Sequence, residues 1–232
     1  MHFNSRRIPK IELHVHLDTC ISYHCAKMLM PALNLKVFQS NFIAPSQCTD
    51  LGDFLRRISP QLSLLQTHTA LRQAVEDMFD QLHADGVIYA ELRFAPLLHL
   101  NQYLTAEEVI ETVLDAMQIN SHIFDIKANL ILCTLRHFTA EQSLETARLV
   151  TKYLHYGVVA LDLAADEARY PLDNHVEAFN YVRQHGGNCI AHAGEAKEGA
   201  NKQVMSSQAD SLIKISRIWA DFFPANTSNQ PI

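Results

Sequence analysis

Apolar side chains recur along this chain with two spacings, one typical of amphipathic helices and one typical of buried strands. Residues 67–84 carry an apolar side chain every three or four positions, and Asp85-Gly86 separates them from the apolar run 87–94. This order of helix, turn and strand repeats along the chain. The predicted strands are 11–17, 87–94, 130–135, 158–163 and 188–192. The predicted helices that separate them are 67–84, 105–125, 139–156 and 175–185.

Helix boundaries in the sequence support these assignments. Thr105 with Glu108, and Thr139 with Gln142, have the spacing of a capping box, which marks the first turn of a helix. About 70 residues separate the first two strands, more than one crossover helix needs, so we expect several helices there, one of them opening at 50–55. Strands that alternate with helices in this way predict βαβ units and a parallel sheet, which is an α/β fold.

Composition narrows the class of protein. Hydrophobic residues make up 48% and charged residues 19% of the 232 positions, which excludes a disordered or fibrous chain. The net charge is −6 and no run of Lys and Arg exceeds two, so we expect no nucleic-acid partner and no binding to an anionic membrane. No apolar stretch reaches the roughly 20 residues of a membrane helix, and the N-terminal residues lack the continuous apolar segment of a secretory signal.

The cysteines indicate a reducing compartment. Their number is odd and they are not clustered like a zinc ribbon or a disulfide framework, so we expect reduced thiols in a cytoplasmic protein. We expect them to serve as small core residues rather than as nucleophiles. They are Cys20, Cys25, Cys48, Cys133 and Cys189. The sequence leaves the oligomeric state open.

The C-terminal ends of the predicted strands carry polar side chains, and in parallel α/β folds this is where sites lie. Glu91 and Arg93 share one face of their strand, and we expect them to form a buried ion pair. For Asp162, Asp166 and Glu167, capping a helix and binding a ligand both stay open. The four ends read HVHLD at 14–18, ELRFAP at 91–96, DLAADE at 162–167 and HAGE at 192–195.

Three histidines at these strand ends predict a metal site. His14 and His16 are two positions apart on a strand, so both imidazoles lie on one face, about 6.5–7 Å apart at the backbone. Together with His192 they would suit a catalytic zinc ion, whose nitrogen ligands lie at about 2.0–2.1 Å. Glu195 could then move a proton at the site, or be a first-turn carboxylate of a helix. The alternative for the pair is one buried, hydrogen-bonded histidine and one exposed one.

Four blocks in the same order resemble the adenosine deaminase family over roughly residues 8–200. They are PKIELHVHLD at 9–18, YAELRFAP at 89–96, LDLAADE at 161–167 and HAGE at 192–195. The resemblance implies a metal-dependent (β/α)₈ barrel that hydrolyses the 6-amino group of a purine nucleoside, adenosine or deoxyadenosine. It further implies that His14, His16 and His192 are zinc ligands and that Glu195 is the acid that protonates the purine ring.

The resemblance also implies the substrate contacts. Asp18 would contact the ribose; on residues alone it could hold a substrate hydroxyl or be a turn or cap residue. His16 would also lie against the substrate, and the backbone N–H at position 165 would meet a ring nitrogen. Here that position is Ala165, where the family usually has Gly. The added methyl group would crowd the purine or shift the loop.

The resemblance ends before the chain does. Residues 215–218 resemble the approach to the sixth strand, but 219–223 read WADFF where the family has a Gly-His-Gly block. We expect residues 1–218 to form a partial barrel with about five to six of eight strands, and 219–232 to be an unrelated, disordered tail. With a further His and an Asp of the family missing, we expect little or no deaminase activity from this chain alone.

Two other functions stay open. One is a non-catalytic barrel fragment. The other is a deaminase acting on adenine, AMP or an N6-substituted purine nucleotide. A phosphate would require additional basic or backbone donors at the strand ends, and the sequence has no dedicated cluster, so we prefer a nucleoside.

Overall fold

A computed structural model of the protein describes residues 8–44, 48–101 and 103–195. Its strands are β1 (Lys10–His16), β2 (Val87–Phe94), β3 (Lys127–Leu135), β4 (Val158–Ala164) and β5 (Asn188–Ala191). Its α-helices are α1 (Tyr23–Leu29), α2 (Leu35–Asn41), α3 (Leu51–Leu64), α4 (His68–Asp85), α5 (Ala106–Phe124), α6 (Ala140–Tyr153) and α7 (Val176–Gln184). Short 3₁₀ turns occupy Pro96–Leu98 and Asp173–His175. The predicted boundary at residue 218 and the tail 219–232 lie outside the described residues.

Every predicted strand and helix has a counterpart in the structure. The segment between β1 and β2 holds α1 to α4, which confirms the expectation of several helices there. Both predicted capping boxes are formed, at Thr105 with Glu108 and at Thr139 with Gln142. α3 begins where expected, because the Asp50 side chain accepts a hydrogen bond from the Asp53 backbone N–H at 2.7 Å.

The five strands form one parallel sheet in the order β1-β2-β3-β4-β5. Because each strand pairs with the next in sequence and a helix lies between each pair, the chain winds in one direction. The structure therefore has an incomplete (β/α)-barrel architecture, and the α/β prediction is confirmed. No helix in the described parts of the chain is long and apolar enough to cross a membrane.

The main hydrophobic core lies between the sheet and the helices that cover it. Leu92 and Phe94 of β2 and Leu132 of β3 are fully buried, as are Val75 and Phe79 on the inward face of α4. Burying each such side chain stabilises the fold by about 1.5–3 kcal/mol relative to an exposed position. A second, smaller cluster lies at the C-terminal ends of the strands, below the site. It consists of Ala95, Cys133, Leu135, Phe138 and Ala164.

A tight turn fixes where β5 begins. Gly186 has φ +82°, a conformation that glycine adopts without strain. A Cβ atom at Gly187 would lie 2.6 Å from the Cγ1 of Val182, a fully buried residue of α7. Glycine at 187 therefore allows α7 to pack closely against the start of β5.

We expect Gly187→Ala to lower the free energy of unfolding by about 1–3 kcal/mol, because the new methyl group overlaps the stiff Val182 side chain. Urea denaturation followed by circular dichroism would measure this. Gly186→Ala is the control, since open space surrounds that position and only its positive φ opposes a side chain, at a cost of about 1 kcal/mol. If the contact is the cause, Gly187→Ala and Val182→Ala combined cost less than their sum. Strictly additive costs would contradict the explanation.

Candidate active site

Three histidine side chains meet at the C-terminal ends of the two outermost described strands. His14 and His16 belong to β1, and His192 directly follows β5. The Nε2 atom of His192 lies 2.9 Å from Nε2 of His14 and 3.1 Å from Nε2 of His16. In a flat sheet, β1 and β5 would be about 19 Å apart, so this contact requires the sheet to curl strongly. The predicted convergence of the three imidazoles is confirmed.

A carboxylate sets the orientation of His192. Its Nδ1 lies 3.1–3.2 Å from the two carboxylate oxygens of Asp162, a fully buried residue of β4. Because a carboxylate only accepts hydrogen bonds, Nδ1 carries the proton, and the neutral ring presents the Nε2 lone pair to the other two histidines. Burial lowers the pKa of His192, but the hydrogen bond and charge of Asp162 outweigh it and raise the pKa overall.

The other two rings are neutral near pH 7. Burial is the main cause that lowers the pKa of His16 to about 4. Burial also lowers the pKa of His14, with a further contribution from the positive charge of Arg93. Each of these rings therefore has a lone pair available for a cation.

Arg93 pairs with Asp162, so the predicted ion pair between Glu91 and Arg93 is wrong. The Arg93 Nη1 atom donates to Asp162 Oδ2 at 2.9 Å, and Nη2 donates to the Leu13 carbonyl at 2.6 Å. Glu91 instead accepts a hydrogen bond from the Tyr89 hydroxyl at 3.0 Å. Asp162 lies on β4, two strands away from β2, and the long Arg93 side chain reaches it across the sheet. Burial alone would raise the pKa of Asp162, but His192 and Arg93 lower it.

The histidine cluster fits a metal ion. Two nitrogen ligands of a tetrahedral zinc ion lie about 3.3 Å apart, close to the distances of 2.9 and 3.1 Å between the Nε2 atoms. Across residues 8–44, 48–101 and 103–195, no other three His, Cys, Asp or Glu side chains come close enough together to share one ion. The Asp162 hydrogen bond to the far nitrogen of His192 is the usual support of a metal-binding histidine.

A cavity of about 490 Å³ opens in front of the cluster. The three histidines, Asp18, Ala165 and Glu195 all line it, so the six residues to which the resemblance gives a role face one space. A larger groove of about 910 Å³ lies between α5 and α6, away from these residues. We place the site in the smaller cavity because the titratable groups converge there. One wall is apolar and comes from α3, which the sequence did not reveal as part of the site. It consists of Leu51, Phe54, Leu55 and Leu62.

The loop that carries Glu195 is held by a buried arginine that the sequence did not reveal. Arg136, at the end of β3, donates from Nη2 to the His192 carbonyl at 2.9 Å and lies 3.5 Å from Glu167 Oε2. The same Glu167 oxygen accepts the Gly194 N–H at 3.1 Å. The pKa of Glu195 is raised, chiefly by burial, against the opposing charge of His192. A raised pKa suits a carboxyl group that holds a proton for transfer.

Asp18 is nearly fully buried and forms part of the cavity wall. Its Oδ2 atom accepts the Ala95 N–H at 3.1 Å and lies 3.5 Å from Nε2 of His99. Its Oδ1 atom receives no hydrogen bond from a described residue. Asp18 can therefore accept a hydrogen bond from a ligand in the cavity.

Two of the cysteines meet the expectation of core residues, and one does not. Cys25 and Cys133 are buried, and burial raises the pKa of both thiols. Cys20 is exposed and lines the cavity, so describing it as a core residue is wrong. It directly follows the turn at the end of β1.

Fold and site together define a class of protein: parallel (β/α) barrels whose strand ends bring together histidines that could hold a metal ion. The sequence model of the family described as adenosine deaminase matches residues 9–218. The chain therefore belongs to the adenosine deaminase family. It is 32% identical to an adenosine deaminase of Clostridium botulinum over 205 residues, which cover 85% of this chain and 61% of the relative. It is 36% identical to a probable adenosine deaminase of Dictyostelium discoideum over 195 residues, which cover 81% of this chain and 25% of that one. The chain thus spans about three-fifths or less of the length of these curated relatives.

Solved structures share the fold. The N6-mAMP deaminase of Arabidopsis superposes with a TM-score of 0.73 at 22% identity, over 88% of this chain and 64% of that one. An adenine deaminase of Arthrobacter aurescens superposes with a TM-score of 0.69 at 21% identity, over 88% of this chain and 62% of that one. An amidohydrolase of Burkholderia ambifaria with bound zinc superposes with a TM-score of 0.75 at 16% identity, over 96% of this chain and 66% of that one. At these identities the likeness establishes the barrel fold.

Ala165 holds a strained backbone conformation in the cavity wall. Its φ is +78°, in the left-handed region that favours glycine. We expect Ala165→Gly to raise the free energy of unfolding by about 0.5–1 kcal/mol, because removing Cβ relieves the strain. Urea denaturation would measure this. Ala164→Gly is the control, because β4 holds that residue in a conformation that suits alanine, and it should destabilise by a similar amount. Destabilisation by both changes would contradict the strain.

Proposed function

We propose that this protein carries the site of a zinc-dependent purine deaminase, which replaces the 6-amino group of adenosine or deoxyadenosine with oxygen and releases ammonia. The observation that carries the proposal is the convergence of His14, His16 and His192 beside Glu195 in one cavity. Membership of the adenosine deaminase family supports the same reaction.

The three histidines would hold the zinc ion through their Nε2 atoms. When bound, zinc supplies the Lewis acidity that makes water an effective nucleophile near neutral pH. Asp162 holds His192 in the tautomer that binds a cation, and Arg93 keeps Asp162 ionised. Because the pKa of His192 is raised, binding a cation must displace its Nε2 proton whenever the ring is charged, so affinity should fall as the pH decreases.

The remaining cavity residues would bind the substrate and move its protons. Glu195, whose pKa is raised, would donate a proton to a purine ring nitrogen as the amino carbon is attacked. Asp18 would accept a hydrogen bond from a ribose hydroxyl, and His16 would lie against the substrate. The backbone N–H of Ala165 would donate to a ring nitrogen, since no described residue accepts it.

A nucleoside fits the cavity better than a nucleotide. The α3 wall is apolar. Among the described residues, the guanidinium group that lines the cavity is that of Arg56. Arg56 is exposed and lies 3.4 Å from Asp53, which partly neutralises it. One solvent-exposed, partly neutralised cation is a weak phosphate site compared with a bidentate or clustered one. Adenosine, adenine and AMP assayed side by side would rank these substrates.

We expect Asp162→Asn to weaken zinc binding by about 10–100-fold, because an amide supports the His192 tautomer less well than a carboxylate. Competition with a chromophoric chelator would measure the affinity. Asp166→Asn is the matched control, since Asp166 lies in the following loop and contacts Arg169 and Ala168 rather than a histidine. Equal zinc affinity in Asp162→Asn and wild type would remove this support for the metal site.

The reaction itself is tested by purifying the protein with zinc and following adenosine conversion to inosine by ultraviolet absorbance. We expect any turnover to be abolished by a chelator, because the reaction depends on the bound ion. Glu195→Gln should lower the rate by about 100-fold or more while leaving zinc content unchanged, because it removes the proton donor. Glu145→Gln, on the exposed face of α6, is the control.

The second candidate function is a non-catalytic barrel that binds zinc and purine without converting it. The strained Ala165 in the cavity wall favours it, because an added methyl group reduces the room for a ring beside the backbone N–H. Zinc and nucleoside binding without inosine formation would support this alternative. A protein that binds neither would contradict both functions.

A further inference from the structure

A buried histidine with one unpartnered nitrogen lies behind Asp18. His99 follows the 3₁₀ turn Pro96–Leu98 and is fully buried. Its Nδ1 atom lies 2.7 Å from the Leu65 carbonyl oxygen, at the end of α3. Its Nε2 atom has no hydrogen-bond partner within the described ranges, yet it lies 3.5 Å from Asp18 Oδ2.

The partners of the ring determine where its protons are. A carbonyl oxygen only accepts, so Nδ1 of His99 must carry a proton. In the neutral ring, Nε2 would then present a lone pair to a carboxylate oxygen in a nearly water-free space, which is repulsive. A second proton on Nε2 turns this repulsion into attraction between an imidazolium and a carboxylate.

The surroundings fix the ring in place. The Phe94 ring packs at a tilt against His99, with 5.7 Å between the ring centroids. The Gln66 side chain donates to the Leu98 carbonyl at 3.0 Å and accepts the Asn101 N–H at 3.1 Å, so it holds the turn on both sides of His99. No other basic side chain forms an ion pair with Asp18 in the described structure. His99 therefore cannot easily turn away from Asp18.

The two oxygens of Asp18 are used differently as a result. The Ala95 N–H donates to Oδ2 at 3.1 Å, and Nε2 of His99 lies 3.5 Å from the same oxygen. The Oδ1 atom has no such contact, although Asp18 lines the cavity. A carboxylate held at one oxygen presents the other in a fixed direction, which suits a hydrogen-bond donor of a ligand.

We propose that His99 is a positioning residue: a buried imidazolium that anchors Asp18 Oδ2 so that Oδ1 faces the sugar hydroxyl of a purine nucleoside. The inference rests on the proposed function for the identity of the ligand. The ion pair itself stands on the geometry alone. His99 also links the end of α3, the apolar wall, to the polar end of the cavity.

The ion pair is tested first, without any substrate. Nitrogen-15 NMR of histidine-labelled, zinc-loaded protein at neutral pH distinguishes rings with one protonated nitrogen from rings with two. We expect His99, assigned from its loss in His99→Gln, to carry protons on both nitrogens. In Asp18→Asn we expect it to carry one. A singly protonated His99 in the wild-type protein would overturn the proposal.

The positioning role is tested by hydroxyl discrimination. Calorimetry would compare the affinity for adenosine with that for deoxy analogues that each lack one ribose hydroxyl. For the analogue that lacks the contacted hydroxyl, we expect about tenfold weaker binding to wild type. His99→Met and Asp18→Asn should both lose this discrimination. His68→Gln is the control, because it alters a histidine hydrogen bond to Thr112 that involves neither Asp18 nor His99.

The outcomes separate the two hypotheses. If His99→Met weakens adenosine and its analogues equally, His99 is only structural and the proposal fails. His99→Gln, which retains a neutral donor, should keep part of the discrimination, whereas full discrimination in both His99→Gln and His99→Met would contradict the positioning role. If the wild-type protein binds no nucleoside, the proposed function and the positioning role fail together, while the NMR result still decides whether the ion pair exists.

Discussion

The ion pair between Arg93 and Asp162 lies on the inner face of the sheet and connects three of its strands. Arg93 extends from β2, reaches the backbone of β1 at Leu13 and binds Asp162 on β4. Both charged groups are almost completely shielded from water, so breaking the pair would leave a buried charge without a partner, at a cost of about 3–5 kcal/mol. The pair thereby connects β1, β2 and β4 on the inner face of the sheet. Curvature of the same sheet brings β1 and β5 close enough for their histidines to meet.

The same pair links the fold to the chemistry of the site. Asp162 receives Arg93 on one side and His192 on the other, so one carboxylate serves both the sheet and the histidine cluster. Its charge raises the pKa of His192, whereas His14 and His16, which lack such a partner, have lowered values. The cluster therefore combines two rings whose pKa values are lowered with one ring whose pKa is raised. This difference in pKa arises from Asp162, which does not line the cavity.

Much of this arrangement follows from local sequence, and some of it does not. Strands and helices were predictable because their periods of two and 3.6 are local, and the His14–His16 spacing places both rings on one face without knowledge of the fold. The position of His192 and Glu195 at another strand end connected them to that pair, and the block resemblance supported the connection. The partner of Arg93 was not predictable, since Asp162 is 69 positions away and lies on a strand that is not adjacent to β2.

Arg136 and His99 escaped prediction for a related reason. Both lie at strand ends or turns with no distinctive spacing, and both act through backbone carbonyls, of His192 and of Leu65. A contact with a backbone carbonyl cannot be inferred from residue types, because every residue has this group. The apolar wall of α3 was hidden in a similar way, because its residues have the same pattern as any amphipathic helix. Ala165 is the opposite case: a departure from Gly visible in the sequence coincides with a positive φ in the structure.

β5 is only four residues long, yet it presents His192 at a defined place. Three hydrogen bonds secure its end: His192 N–H to Leu163 at 2.8 Å, Arg136 to the His192 carbonyl at 2.9 Å, and Gly194 N–H to Glu167 at 3.1 Å. In so short a strand, sliding by a single residue would turn the imidazole to the outer face, toward the helices. The three hydrogen bonds at the end of β5 oppose such a change of register. Side chains far from the reacting atoms thereby decide which face of the barrel the third histidine occupies.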